Sequence, residues 1–280
     1  MLLVTGASGQ LGMELKKIYG KDKAIFASKN DLDITDNIKL NHFFENNNIM
    51  IIINCAAYTN VDEAENNIEL CNKVNITGVQ NLAKISKKYK ILVLHISTDY
   101  VYDGENNLPY KETDNTQPLS VYGKSKLQGE LELLTLAHSA IIIRSGWLYS
   151  KFNKNFVNTI LKLSKNKSEL NVINDQIGTP TYAYDLAKVI SIIIIKINYD
   201  YNKKEIYHFS NEGVASWYDF AYEIIRLSKV NCNINPIASK DYQVLAKRPY
   251  YTVLDKSKIK QDFGIKIRHW SDALTECLIS

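Results

Sequence analysis

The sequence predicts an α/β fold, a doubly wound parallel sheet carrying a smaller C-terminal lobe, and three observations lead there. Short apolar runs alternate with longer segments of helical period through the first half of the 280 residues. A glycine-rich turn follows the first apolar run, and the alternation loosens after about residue 150. Short strands separated by helices require right-handed crossovers, and crossovers lay helices over both faces of a parallel sheet.

In chain order, strands are expected at 2–5, 24–27, 50–54, 91–96 and 141–144, with helices at 10–19, 34–47, 69–88 and 121–136 between them. Beyond these come a helix at 154–164, a strand at 170–173, a loop at 174–182 and a helix from Tyr184. A strand at 205–209, a helix at 216–228 and helical pieces at 255–263 and 269–278 complete the chain. The apolar stretch 189–197 reads as a buried helix, because it is far shorter than the roughly 20 residues a membrane span needs. Ligands in such folds bind at the carboxyl ends of the strands, where Gly6, Ala56, Thr98 and Trp147 are expected.

The turn Gly6-Ala7-Ser8-Gly9-Gln10-Leu11-Gly12 joins the first strand to the first helix. Glycine permits the tight bend, lets backbone approach a phosphate and lets helix pack on strand, while the helix start offers unpaired N–H groups to an anion. The turn therefore predicts a Rossmann-type dinucleotide site. At the end of the second strand, where an acid would hold a free ribose 2′-hydroxyl, the chain reads Ser28-Lys29-Asn30 before Asp31, Asp33 and Ile34. A missing acid leaves room for a 2′-phosphate, so NADP(H) is expected; Asp31 or Asp33 in reach of the ribose keeps NADH open. On this reading residues 1–150 form the NADP(H)-binding domain, and residues 151–280 a substrate-binding lobe interleaved with the sheet.

Composition narrows the function classes. A 45% hydrophobic content sustains a full core, and the net charge of +4 is a small excess of 34 basic over 30 acidic residues without a block of like charge. No nucleic-acid partner is expected. Cys55, Cys71, Cys232 and Cys277 make no CxxC pair, so neither a disulfide framework nor a metal site is expected. The strand-like start, without a charged leader and apolar run, points to a cytoplasmic protein with no membrane partner.

Tyr122 and Lys126, four residues apart, share one face of a helix. His95-Ile96-Ser97-Thr98 ends the strand upstream, which brings a hydroxyl, a phenol and an ammonium to the same sheet edge. Such a set protonates a carbonyl oxygen while a nicotinamide exchanges a hydride. The expected role of the ammonium is to lower the phenol from a pKa of about 10 toward about 7. The small residues at the end of the third strand leave room for the cofactor beside Ala56, Ala57 and Tyr58, although Cys55 there serves equally well as packing. Asn75 either organises backbone or water near the site or lies on a helix surface.

Taken in order, the segments TGASGQLG (5–12), DLDITD (31–36), NCAAYTNVDEAE (54–65), STDYVYDG (97–104), VYGKSKLQGE (121–130), RSGWLY (144–149), NDQIGTPTY (174–182) and RPYYTVLDKSKI (248–259) form a specific pattern. The chain resembles the extended short-chain dehydrogenases and, within them, the dTDP-4-dehydrorhamnose reductase family, nearly end to end. The resemblance implies NADPH-dependent reduction of the C4 ketone of dTDP-4-dehydro-L-rhamnose to dTDP-L-rhamnose, for surface polysaccharide. It implies Thr98, Tyr122 and Lys126 as the catalytic set, with Tyr122 donating the proton and Lys126 also holding the nicotinamide ribose. Gly6, Ser8, Gly9, Gln10, Leu11, Lys29, Asp33, Ile34, Ala56, Ala57, Tyr58 and Asn75 are the expected cofactor residues. Asp99, Tyr100, Trp147, Gln176, Thr179 and Arg248 are expected to face the dTDP-sugar, Arg248 meeting the diphosphate with its planar fork. A monomer or homodimer is expected.

Two departures stand out. Some members hold a magnesium ion between subunits with a glutamate after the Pro180-Thr181 loop, where this chain has Tyr182, Ala183, Tyr184 and Asp185; Glu14 alone, at another such position, does not make a site. Tyr250, Tyr251 and Thr252 replace the Asn and Ser of other members. Tyr100 stands where related dehydratases need a carboxylate, and 280 residues are few for the larger lobe of an epimerase. Two rival readings remain. One is a 4-ketoreductase of another nucleotide deoxysugar. The other is a non-catalytic NADP-binding regulatory subunit of the methionine adenosyltransferase type, which needs no intact proton relay.

Overall fold

The protein, seen in a computed structural model, is described over residues 1–197 and 201–279. Its first half runs β1 (Leu2–Thr5), α1 (Gln10–Lys23), β2 (Ala24–Ala27), α2 (Asn37–Asn46), β3 (Ile51–Asn54), α3 (Val61–Asn66), α4 (Ile68–Asn72), α5 (Val79–Tyr89), β4 (Leu92–Thr98), α6 (Val121–Leu136) and β5 (Ser139–Ser145). The remainder runs β6 (Leu148–Tyr149), α7 (Phe156–Ser164), β7 (Glu169–Ile173), β8 (Ile177–Gly178), β9 (Thr181–Tyr182), α8 (Ala183–Lys196) and β10 (Lys204–His208). It ends with β11 (Ala215–Ser216), α9 (Trp217–Ser228), β12 (Asn233–Ile237), α10 (Ser257–Phe263) and α11 (Trp270–Ile279).

Six strands form one parallel sheet in the order β10-β5-β4-β3-β1-β2. The chain leaves β1 toward β2 on one side and returns to β3 on the other, so the two connections diverge above the carboxyl ends of β1 and β3. That divergence opens a crevice where such sheets hold ligands. The strands read as nearly unbroken apolar runs because both faces are covered. Leu15, Leu186 and Ile190 lie in the core under one face, Leu40, Leu82 and Leu133 in the core under the other. A third apolar cluster, including Tyr149, Val157, Phe220, Ile224 and Leu274, is built from the second half of the chain.

Local chemistry explains where the elements depart from expectation. Helical hydrogen bonding carries α1 to Lys23, yet Gly20 at φ +64° kinks it one residue after the expected end at Tyr19. The helix expected at 69–88 is broken instead into α4, a π-helical segment Lys73–Gly78 and α5. Gly129 of α6 lies so close to that segment that a Cβ on it would come within 2.3 Å of the Asn75 carbonyl oxygen. The 174–182 loop contains β8, paired antiparallel with β11, and β9, paired parallel with β6. Period-2 patterning cannot reveal strands of two residues. Likewise β12, which pairs with β7, carries Pro236 and is largely solvated, so it gives no apolar signal. The apolar 189–197 stretch is buried on one face alone: Val189, Ile190 and Ile193 are covered, whereas Ile195 is 79% exposed.

A buried polar network ties α6 to β5 and β10. Arg144 forks onto Glu130 through Nε and Nη2 at 2.7–3.1 Å and donates Nη1–H to the Tyr102 hydroxyl at 2.8 Å. His208 Nδ1 faces the Tyr110 and Asp255 carbonyls, which assigns its proton to Nδ1 and leaves Nε2 to accept from Tyr102 at 2.8 Å. Burial, reinforced by the Arg144 charge, lowers His208 to a pKa of about 3, and burial drives His95 well below its ordinary value too. Between about 3 and 6.5 the unfolded chain therefore binds protons at these histidines that the folded chain refuses, so their contribution to stability is lost as pH falls through that window. Asp99, raised to about 6 by burial, opposes them over part of it. Denaturant unfolding at pH 7.5 and 5.5 is expected to show lower stability at the acid value. His208→Gln is expected to remove about 1.4 kcal/mol of the stability difference between the two pH values; an unchanged difference would refute this.

Candidate active site

The glycine turn behaves as its residues predict. Gly6 sits at φ +64°, and a Cβ there would lie 2.6 Å from the Ala56 backbone nitrogen, so only glycine lets the end of β1 cross the end of β3. Gly12 allows equal proximity, its hypothetical Cβ falling 2.6 Å from Ala7 Cα. The start of α1 has no side-chain cap, which leaves its first N–H groups facing the crevice. Gln10 reaches across to the second half of the chain, its Oε1 accepting from Ser150 Oγ at 3.2 Å and Asn155 Nδ2 at 3.0 Å.

From this turn a cleft of about 620 Å³ runs along the carboxyl ends of β3, β4 and β5. That volume is typical of a small-molecule site, roughly 300–1,000 Å³. Of the expected residues, Gly9, Gln10, Leu11, Ala57, Thr98, Asp99, Tyr100, Tyr122, Lys126 and Trp147 line it. Helix α6 is pinned at its start by the Ser120 hydroxyl, which accepts from Gly123 N at 3.1 Å, and by Glu65, which accepts from Val121 N at 2.8 Å. Gly123 and Gly129 then let the helix lie directly on the backbone of Tyr100 and Asn75, which aims Tyr122 and Lys126 at the cleft.

Thr98 Oγ1 accepts from Tyr100 N at 3.2 Å and donates to Asp99 at 3.1 Å. The Tyr122 ring packs edge-on against Tyr100, with ring centroids 5.9 Å apart. The expectation that Lys126 lowers the phenol is corrected by the structure. Burial raises Tyr122, with Thr98 pulling the other way, while burial lowers Lys126 to about 8 despite the Glu130 charge. The amine thus gives up its charge well before the phenol would ionise, so at neutral pH the site holds a proton-loaded phenol one helical turn from a cation. Lys126 Nζ donates to the Ile96 carbonyl at 2.7 Å and meets His95 Nε2 at 3.2 Å.

Asn75 resolves in favour of organisation: it is 1% exposed and clamps Tyr58, accepting from its N–H at 2.9 Å and donating to its carbonyl at 3.1 Å. At the end of β2, Lys29 is exposed, and Asp31 turns back to accept from Ser28 N and Oγ at 2.9 and 2.6 Å. Asp33 likewise accepts from Thr35 N at 2.9 Å. Ile34 is buried against Gly78, and Ser8 is exposed with its carbonyl accepting from Asn153.

Three expected substrate residues do not line the cleft, because their polar atoms are satisfied elsewhere. Gln176 donates to Ser239 Oγ at 3.0 Å, Thr179 donates to the Gly213 carbonyl at 2.8 Å, and Arg248 pairs with Asp62 at 2.7 Å. Trp147 does line it, held at φ +50° and stacked on Trp217 with ring centroids 3.5 Å apart. Backbone conformations of this cost persist where surrounding packing enforces them, often at functional sites. Trp217 is a cleft residue that sequence reasoning misses, since a lone tryptophan starting a helix has no local signature. Among the described residues no three His, Cys, Asp or Glu side chains converge, and Glu14 is buried against Lys17 at 2.7 Å. Nor is any described helix long and apolar enough to cross a membrane.

The family model described as RmlD substrate binding domain matches residues 1–280. The chain belongs to this family. It is similar to the dTDP-4-dehydrorhamnose reductase of Aggregatibacter actinomycetemcomitans, with 44% identity covering 98% of this chain and 96% of that one. Among solved structures it resembles a dTDP-4-dehydrorhamnose reductase of Clostridium acetobutylicum, with TM-score 0.93 and 39% identity over 99% and 98% of the two chains. It also resembles the Bacillus anthracis enzyme of that name in complex with NADP, with TM-score 0.94 and 34% identity over 99% and 98% of the two chains.

Proposed function

We propose that this member of the RmlD family is an NADPH-dependent oxidoreductase that reduces the C4 ketone of dTDP-4-dehydro-L-rhamnose to dTDP-L-rhamnose, for surface polysaccharide, in the cytoplasm. The observation that carries the reading is the convergence of Thr98, Tyr122 and Lys126 on one wall of a cleft that opens from the Gly6 turn. The cofactor fits the residues present: the Gly6 cradle is one that a Cβ would fill, and the uncapped start of α1 suits a pyrophosphate. Gly6, Gly9, Gln10 and Leu11 would hold that pyrophosphate, and Ala56, Ala57 and the clamped Tyr58 the ribose side. The carboxylates of Asp31 and Asp33, already bonded to their own loop, favour a 2′-phosphate beside Lys29. On this division residues 1–150 carry the cofactor and residues 151–280 most of the sugar pocket.

Bound there, the reduced nicotinamide supplies a hydride to the sugar C4. Tyr122 gives its phenolic proton to the ketone oxygen, and the Thr98 hydroxyl steadies that oxygen. The Lys126 ammonium offsets the charge left on the phenolate. Trp147, with Trp217 behind it, forms an apolar wall for the deoxysugar, and Arg248 exchanges Asp62 for the diphosphate. The protein acts as a monomer or homodimer.

Steady-state NADPH oxidation tests this. Turnover is expected with dTDP-4-dehydro-L-rhamnose, with NADPH favoured over NADH, and no consumption of either cofactor would reject the proposal. Turnover confined to a different dTDP-4-ketosugar would reassign the substrate. In the same assay Arg248→Ala is expected to raise KM for the dTDP-sugar about 10- to 100-fold, the worth of its charge-assisted bonds, while KM for NADPH stays unchanged.

A further inference from the structure

Beneath the cleft a string of buried polar side chains runs from the core to Lys126. Parallel register places Thr5, Asn54 and His95 side by side on β1, β3 and β4, since Thr5 pairs with Asn54 and Asn54 with His95. All three are at most 1% exposed, and Lys126 is 2% exposed. Thr5 Oγ1 donates to Asn54 Oδ1 at 2.6 Å, Asn54 Nδ2 meets His95 Nδ1 at 2.8 Å, and His95 Nε2 meets Lys126 Nζ at 3.2 Å. Groups this deeply buried need defined partners, because each unmet donor or acceptor costs about 1–3 kcal/mol.

The donor and acceptor roles follow from one backbone group. Ala56 N–H, which can only donate, points at Asn54 Oδ1 at 3.2 Å, so the atom facing His95 is the amide Nδ2. Nδ2 can only donate, which makes His95 Nδ1 a bare acceptor. Burial keeps the imidazole neutral, so its single proton sits on Nε2, directed at Lys126. An ammonium cannot accept that hydrogen bond, whereas an amine can accept it while still donating to the Ile96 carbonyl at 2.7 Å.

We propose that His95, locked by Asn54 and Thr5 as the Nε2–H tautomer, is a positioning residue that aims a donor at Lys126 Nζ and biases Lys126 toward its amine form. The inference rests on the reading of Lys126 given above, in which the ammonium is the working form. The other groups around Lys126 do not compete for this role. Cys55, beyond β3, and Cys71, on α4, are thiols raised by burial, Cys55 to about 12. Tyr122, on α6, is raised as well, and Glu130, also on α6, is held by Arg144. An alkaline limb of activity is therefore expected near the Lys126 value of about 8 and is assigned to Lys126.

Two measurements test the proposal. Nitrogen-15 NMR of histidine-labelled protein, compared with a His95→Gln sample for assignment, is expected to show His95 with a bare Nδ1 and a protonated Nε2. A protonated Nδ1 overturns the proposal whether or not the protein reduces any sugar, so this result is separable from failure of the proposed activity. Next, the pH dependence of kcat with NADPH and dTDP-4-dehydro-L-rhamnose is compared among wild type, Asn54→Asp and His95→Gln. The Asn54→Asp carboxylate accepts from Nδ1–H, moves the imidazole proton off Nε2 and is expected to shift the alkaline limb upward by about one pH unit. His95→Gln, whose amide can still donate, is expected to keep the limb near its wild-type position. A limb that stays put or moves down in Asn54→Asp, with kcat alone reduced, overturns the proposal and leaves His95 a packing residue.

Discussion

Tyr122→Phe is expected to lower kcat by about 10²- to 10⁴-fold, the usual contribution of a positioned proton donor, while NADPH binding stays unchanged. Phenylalanine keeps the ring that packs edge-on against Tyr100 and removes only the hydroxyl, so the loss isolates proton transfer from folding. The raised pKa of Tyr122 makes the effect one-sided, because a phenol that stays protonated at neutral pH is loaded for reduction. Steady-state kinetics combined with NADPH fluorescence titration decide the matter. Wild-type turnover in the variant would remove Tyr122 from the chemistry.

Arg144→Met is expected to cost about 3–5 kcal/mol of stability, the usual penalty for stranding one partner of a buried ion pair. Arg144 and Glu130 side chains are 4% and 1% exposed. Removing the guanidinium leaves the Glu130 carboxylate in the core without its fork and takes one donor from Tyr102. The double variant Arg144→Met/Glu130→Met is expected to recover most of the loss, since no uncompensated charge remains. Urea unfolding of both proteins checks this. A single variant within about 1 kcal/mol of wild type, or a double variant no better than the single, contradicts it.

Much of the sheet is legible in the linear pattern. The runs ending at Thr5, Ala27, Asn54 and Arg144 are apolar because helices cover both faces, and that continuity is a local signal. The glycine turn is legible for a similar reason, since Gly6 and Gly12 answer steric demands that adjacent elements impose. By contrast, β8, β9 and β11 are too short to show periodicity, and the break at Lys73–Gly78 packs against Gly129, more than 50 residues away.

Within the cleft the division is similar. Thr98, Tyr122 and Lys126 announce themselves by residue type and spacing. Their ionisation does not: the i,i+4 spacing suggests an ammonium acting on a phenol, but burial acts on both groups and moves the amine first. His95 and Asn54 look like ordinary strand residues until register aligns them, and Trp217 meets Trp147 only because α9 packs over the cleft.

Sequence alone determined the fold class, the glycine turn and the residues proposed to react, since backbone sterics and helical spacing act over a few residues. Tertiary structure decided which polar groups already have partners, as with Arg248 and Asp62, and which proton each buried group keeps. Desolvation and hydrogen bonding depend on neighbours brought from distant parts of the chain, and no local pattern records them.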